Sequence, residues 1–271
     1  MKILESKTKK NAIILTVFGS VIEQEKYQVL KKLVEQEFPD CDVYIAVSSI
    51  FILKVLLRKG FEYKNLAQNL ADADQQGYSN IIVTSITLFP TYEHEKTKKI
   101  VQSFREFSSS NIVNTNAIFS KTKETTLFLN DLDKLVNKHK TANLYILHGT
   151  PKLETAGLAS VDYVTQYLQK KSSNNYTCSI EGAFPFFAVK EDLIQRMKND
   201  GVKKIQIIPM LLVSGNHYIK DMVEINEELN QHFKSKIVNS FTVSEKFNLL
   251  ELDGVQEIIV NNIKESIKLI K

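Results

Sequence analysis

Short continuous apolar runs alternate with helix-patterned stretches along the whole chain, and midway the alternation starts again. The first run, 12–18 (AIILTVF), stops at Gly19-Ser20. A strand that is apolar at every position must be covered on both faces, which is the situation of a parallel strand between layers of helix. Tyr27, Leu30, Val34 and Phe38 then keep helical spacing until Pro39-Asp40 ends it. Strands follow at 42–47, 81–89 and 111–119, with helices at 50–58, 65–76 and 93–107 between them. The order restarts with strands at 144–147, 177–180, 205–212 and 236–241 and helices at 153–171, 189–199 and 217–233, and a helix at 255–270 closes the chain. This β–α alternation predicts an α/β protein of two similar lobes, each a parallel sheet flanked by helices. The lobes are 1–130 and 131–254, and the closing helix (255–271) is assigned to the first.

The two halves superimpose as patterns. Phe18-Gly19-Ser20 falls where His148-Gly149-Thr150 falls, Val47-Ser48-Ser49 matches Ile180-Glu181-Gly182, and Glu93 stands opposite His217. Ligands of open α/β sheets bind at the carboxyl ends of the strands and at domain interfaces, so a cleft between the lobes is expected.

Composition removes several classes. With 43% hydrophobic and 24% charged residues, the chain can bury an ordinary core and is not disordered. A net charge of +4, spread over helices, lacks the basic stripe that nucleic acid requires, although it favours a polyanionic small molecule. No apolar run is long enough to span a bilayer. The polar, lysine-rich stretch 1–10 has no signal-peptide pattern, so a cytoplasmic protein without membrane partners is expected. The two cysteines, Cys41 and Cys178, have no zinc spacing and read as reduced core thiols. There is no GxGxxG, Walker loop or GxSxG elbow, so no organic cofactor is expected. Homo-oligomerisation stays open.

The chemistry concentrates at three consecutive strand exits of the second half. His148 precedes the small, turn-forming Gly149-Thr150-Pro151. Glu181 follows an apolar strand and precedes Gly182-Ala183-Phe184-Pro185-Phe186-Phe187, where a carboxylate needs a cation, a proton or hydrogen bonds. His217 follows Ser214-Gly215-Asn216. Taken singly, each has a bland reading as a turn-ordering or capping residue. Together, two imidazoles and a carboxylate suit a divalent first-row ion such as Co, Fe, Ni or Zn. His94 borders the same region of the first half, whereas His139 and His232 read as surface residues. The turns Phe18-Gly19-Ser20 and His148-Gly149-Thr150 can receive carboxylates on backbone amides and hydroxyls. Phe184, Phe186, Phe187, Met210 and Leu212 form an apolar wall, with core packing the commoner role for such residues.

With these residues in view, the chain resembles the anaerobic cobalt chelatases of the sirohydrochlorin cobaltochelatase family, class II chelatases with a ferrochelatase-like fold. Residues 201–222 (GVKKIQIIPMLLVSGNHYIKDM) are similar to the family's "PLMLVAGDHA" segment with its trailing "NDM". Ile180 to Pro185 resembles its "VEGYP" element, Thr16 to Ser20 its "SFGT", and Phe38-Pro39-Asp40 with Ser48-Ser49 its "FPD…TS". The family's "GHG" is here Leu147-His148-Gly149, Thr87 stands where a first-lobe histidine is usual, and Pro90-Thr91 replaces a polar turn. The resemblance implies insertion of Co²⁺ into a sirohydrochlorin-type tetrapyrrole in anaerobic cobalamin synthesis. It makes His148, Glu181 and His217 the metal-binding and catalytic residues. Glu93, with Phe18, Gly19, Ser20, Gly149 and Thr150, would then border the tetrapyrrole. Ferrous or nickel insertion is the variant reading, and a non-catalytic tetrapyrrole or metal carrier is the alternative class. A two-lobed periplasmic-type binding protein is a third, which the missing signal pattern opposes.

Overall fold

The computed structural model describes residues 11–150, 152–215, 218–242 and 244–270, and among them two four-stranded parallel sheets. The first holds β1 (Asn11–Val17), β2 (Cys41–Val47), β3 (Asn80–Ser85) and β4 (Asn111–Asn114), in the order β2-β1-β3-β4. The second holds β5 (Ala142–Gly149), β6 (Asn175–Glu181), β7 (Lys204–Met210) and β8 (Lys234–Ile237), in the order β6-β5-β7-β8. The repeat in the sequence is therefore a repeat of topology. In both sheets the strand order reverses beside the first strand, and the crevice at such a reversal is where doubly wound sheets place their ligands.

The central strands are continuous apolar runs because both faces are covered. Every side chain from Ala12 to Val17 is buried, as is every one from Ala142 to Leu147. In the first sheet Ile14, Ile81 and Val83 pack with Leu70, Ala73 and Val101 from α3 (Leu66–Gln75) and α4 (Tyr92–Arg105). In the second, Leu144, Ile146 and Ile207 pack with Met197 of α7 (Phe186–Asn199) and Leu229 of α8 (Val223–Asn230). Each buried Val, Leu, Ile or Met side chain of this set contributes roughly 1.5–3 kcal/mol. The remaining helices are α1 (Glu25–Glu37), α2 (Ile50–Arg58), α5 (Thr122–Val136), α6 (Leu158–Lys171) and α9 (Asp253–Leu269). Among the described residues, no helix is long and apolar enough to cross a membrane.

The chain divides into two units, residues up to Ile118 with those from Asp253 onward, and Phe119–Leu252. α5 has no counterpart among the expected helices, and its residues up to 130 fall in the second unit where the sequence reading gives them to the first. The reason is a buried polar anchor. Asp133 of α5 accepts hydrogen bonds from Tyr145 Oη on β5 (2.9 Å) and Asn175 Nδ2 on β6 (2.7 Å). Gln206 Nε2 on β7 donates to Val136 O at 2.9 Å. α9 packs on β3, β4 and α1, where Lys264 meets Glu37 at 3.1 Å.

Several ends differ from the sequence reading. β4 stops at Asn114, and a 3₁₀ turn at Ile118–Ser120 takes the rest of the run, with Ile118 N–H bonded to Thr87 O at 2.9 Å. α7 starts at Phe186 rather than 189, because Pro185 holds the N-cap position in extended geometry. α6 starts at Leu158 rather than 153, since Gly157 turns through a left-handed conformation at its N-cap. β8 stops at Ile237 rather than 241. The helix expected over 217–233 is a π-helical turn at Tyr218–Met222 continuing as α8, and its expected first residue, His217, lies outside the described residues.

Candidate metal centre at the exits of β5 and β6

His148 is the penultimate residue of β5, and Glu181 is the last of β6. The parallel register pairs Gly149 with Glu181, which sets the imidazole beside the carboxylate. His148 Nδ1 lies 3.6 Å from Glu181 Oε1, with side-chain exposures of 43% and 40%. Solution ions and protons therefore reach both groups.

Two glycines make this approach possible. Gly149 has φ +78°, and a Cβ there would stand 1.7 Å from Glu181 O. Gly182 has φ +80°, and a Cβ there would stand 1.7 Å from Thr150 O. The two exits thus lock backbone against backbone with no side chain between them. Beyond Glu181 the chain curls back onto its own strand. Ser179 N–H donates to Phe184 O (3.1 Å) and Ser179 Oγ to Ala183 O (2.7 Å). Phe184 itself adopts φ +56°, a strained conformation for an aromatic residue of the kind that concentrates at functional sites.

The tautomer of His148 follows from its neighbour. Nδ1 lies 3.2 Å from Gly149 O, which can only accept, so the ring proton belongs on Nδ1 and the lone pair on Nε2, the atom able to bind a metal. A carboxylate near the Nδ1 side adds negative charge for an incoming cation.

His217 itself lies outside the described residues, but the chain leading to it is firmly held. Leu249 and Leu250 N–H donate to Leu211 O and Leu212 O, each at 3.0 Å. Ser214 N–H donates to Asn248 Oδ1, and Ser214 Oγ donates to Phe247 O at 3.2 Å. Asn248 is buried, and the sequence reading does not single it out, because its partner lies far away in the chain and no local pattern marks it. Among the described residues, no three His, Cys, Asp or Glu side chains converge as a metal site. His148 and Glu181 are the pair brought together.

The matching exits of the first unit hold other residues. Phe18 is about half exposed. Gly19 has φ +100°, and a Cβ there would meet side-chain atoms, Val47 Cγ1 at 2.8 Å and Ile52 Cγ2 at 2.9 Å. Ser20 is buried, and its Oγ accepts from Ile22 N–H (3.2 Å) and Glu23 N–H (3.1 Å), so it orders the turn. Glu93 sits in the first turn of α4 with Oε2 buried and unbonded, as are Thr87 Oγ1 and Ser48 Oγ. His94 is buried, with Nδ1 3.0 Å from Ser85 Oγ; burial first, and Lys98 second, hold its pKa below the ordinary value. In the second unit Thr150 is buried, its Oγ1 donating to Thr155 Oγ1 at 3.2 Å. Of the apolar wall, Phe186 and Met210 are core, while Phe184 and Phe187 are exposed. His139 and His232 are exposed, as expected.

Solved structures similar to this chain include chelatases. SirB from Bacillus subtilis with Fe³⁺ has a TM-score of 0.67 at 15% identity, covering 95% of both chains. The sirohydrochlorin chelatase SirB from Bacillus subtilis subspecies spizizenii in complex with cobalt has a TM-score of 0.61 at 14% identity, covering 96% of both. The fold is that of the two-lobed chelatases. A relative in sequence, the sirohydrochlorin cobaltochelatase of Salmonella typhimurium (strain LT2), is 22% identical over 218 residues, 79% of this chain and 80% of its own. The family model of the cobalt chelatases (CbiK) matches residues 11–268, and the chain belongs to that family. It is an enzyme, a metal chelatase.

Proposed function

We propose that the protein inserts Co²⁺ into sirohydrochlorin, with His148, Glu181 and His217 receiving the ion. The observation that carries this reading is the accessible His148–Glu181 pair, 3.6 Å apart at adjacent strand exits, in a chain of the cobalt chelatase family. Two imidazoles and a carboxylate suit several divalent first-row ions, so the choice of cobalt rests on the relative's activity.

The roles follow from the chemistry of insertion, in which the ion sheds water and two pyrrole protons leave. Nε2 of His148 is a neutral ligand. Glu181 offsets the charge of the ion and accepts a proton as the macrocycle is metallated, and such positioned proton transfer accelerates a step by roughly 10²–10⁴. Glu93, with its unbonded Oε2, offers a second acceptor from the first unit. Phe18, Gly19, Ser20, Gly149 and Thr150 border the tetrapyrrole.

The test is direct. Purified protein is mixed with sirohydrochlorin and Co²⁺, Fe²⁺ or Ni²⁺ in turn, and the change in absorption is followed. Acceleration greatest with Co²⁺ is expected. A larger acceleration with Fe²⁺ or Ni²⁺ overturns the cobalt assignment, and no acceleration over protein-free controls with any ion overturns insertion as the activity.

A further inference from the structure

A groove of about 390 Å³ lies within the first unit, between one face of α4 and the chain leaving β4. Its α4 wall presents His94, Lys98, Gln102 and Arg105, which share a helix face by their spacing. Asn114 and Asn116 stand in the opposite wall, and no aspartate or glutamate lines the groove. His94 and Val101 are buried, whereas Lys98, Gln102 and Arg105 are exposed, and together with the two asparagines the groove gathers two cations and three amides.

The cations are placed rather than adrift. Arg105 Nε donates to Ile112 O at 2.5 Å, which ties the guanidinium to β4 and leaves the other four of its five N–H donors for a ligand. Lys98 pairs with Glu95 at 2.9 Å in solvent, a surface pair of the kind worth little and readily exchanged. The two charges lie seven residues apart on the helix, about 10 Å along its axis, so one small ion with a single charge cannot meet both. His94 is buried with Nδ1 committed to Ser85 Oγ, so Nε2 is the ring atom available to the groove. Asn114 Oδ1 is buried without a partner, an acceptor that a ligand hydroxyl or a bound water would satisfy.

We propose that this groove binds a small polyanion carrying carboxylate or phosphate groups, with Lys98 and Arg105 holding its charged ends and His94 and the amides its interior. The same chemistry has two sources, a free polyanion and the carboxylate side chains of a tetrapyrrole. Only the second rests on the chelatase reading.

Calorimetric titration of the whole protein with citrate, pyrophosphate and metal-free sirohydrochlorin separates them, using the wild type and a Lys98→Ala, Arg105→Ala double variant. Wild type is expected to bind at least one of the three at one equivalent, with Kd rising tenfold or more in the variant. A loss seen with citrate or pyrophosphate assigns a free anion. A loss confined to sirohydrochlorin assigns the carboxylates of the tetrapyrrole. Binding of none, or binding of all that differs less than twofold between the two proteins, overturns the proposal. Lys98→Ala alone keeps the Arg105–Ile112 bond and is expected to weaken binding about threefold, so that a fold defect in the double variant cannot pass for support. Citrate and pyrophosphate involve no insertion chemistry, so failure here and failure of the insertion assay are separate results.

Discussion

The two units share one strand order and differ in what stands at the strand exits. Where β5 carries His148 as its penultimate residue, β1 ends before Phe18; where β6 ends in Glu181, β2 ends before Ser48. The glycines that follow the first strands differ as well. Gly149 lies against the backbone of the neighbouring exit, whereas Gly19 lies against the side chains of Val47 and Ile52. Topology therefore supplies two equivalent crevices, and side-chain identity together with a backbone lock distinguishes the one proposed to receive the metal ion. The first unit keeps buried polar atoms without partners at Ser48, Thr87 and Glu93, which fits contact with a ligand better than a dry core.

The largest effects that would break this comparison are catalytic. His148→Ala and Glu181→Ala are each expected to slow metal insertion by roughly 100-fold or more, the scale of losing a ligand or proton acceptor. Phe18→Ala and Ser48→Ala, at the equivalent exits, are expected to stay within about tenfold. Insertion rates followed by absorption decide it, and equal losses in both units would remove the asymmetry.

Next in size is the backbone lock. Gly149→Ala forces a Cβ onto a carbonyl that cannot retreat without moving β6, and a cost of about 3 kcal/mol is expected. Gly19→Ala meets methyl groups of flexible side chains and has mainly its positive φ to overcome, about 1–2 kcal/mol. Urea midpoints of the two variants measure the difference.

The smallest effect concerns His94. Its folded pKa lies below its unfolded value of 6.5, so the unfolded chain binds more protons in that window. Stability contributed there is complete above the ordinary histidine range and falls as pH drops through it. Melting temperature is expected to fall more in wild type than in His94→Gln between about pH 7.5 and about pH 5.5. Parallel curves would show that His94 does not titrate under strain.

Most of the architecture is legible in the sequence, because buried parallel strands such as β1 and β5 must be apolar throughout and so announce themselves. Helix α5 is not. Its anchor, Asp133, bonds to Tyr145 and Asn175, and a pairing across such separations leaves no periodic mark. The long apolar runs also conceal their ends. β4 stops at Asn114 because the chain turns to bond Thr87 O, a choice made by tertiary contact and not by propensity. In the site, His148 and Glu181 are readable as polar residues placed directly after apolar strands. The need for Gly149 and Gly182 becomes evident only when Glu181 O and Thr150 O are seen against them. Asn248, which fixes the loop before His217, has no local signature at all.

The most direct test of the asymmetry is Co²⁺ binding to the apo-protein, followed through the visible absorption of the bound ion. One Co²⁺ per chain is expected, with affinity reduced at least tenfold in His148→Ala and in Glu181→Ala and unchanged in Phe18→Ala and Ser48→Ala. Co²⁺ bound with wild-type affinity by both His148→Ala and Glu181→Ala would contradict the assignment of the metal to the exits of β5 and β6.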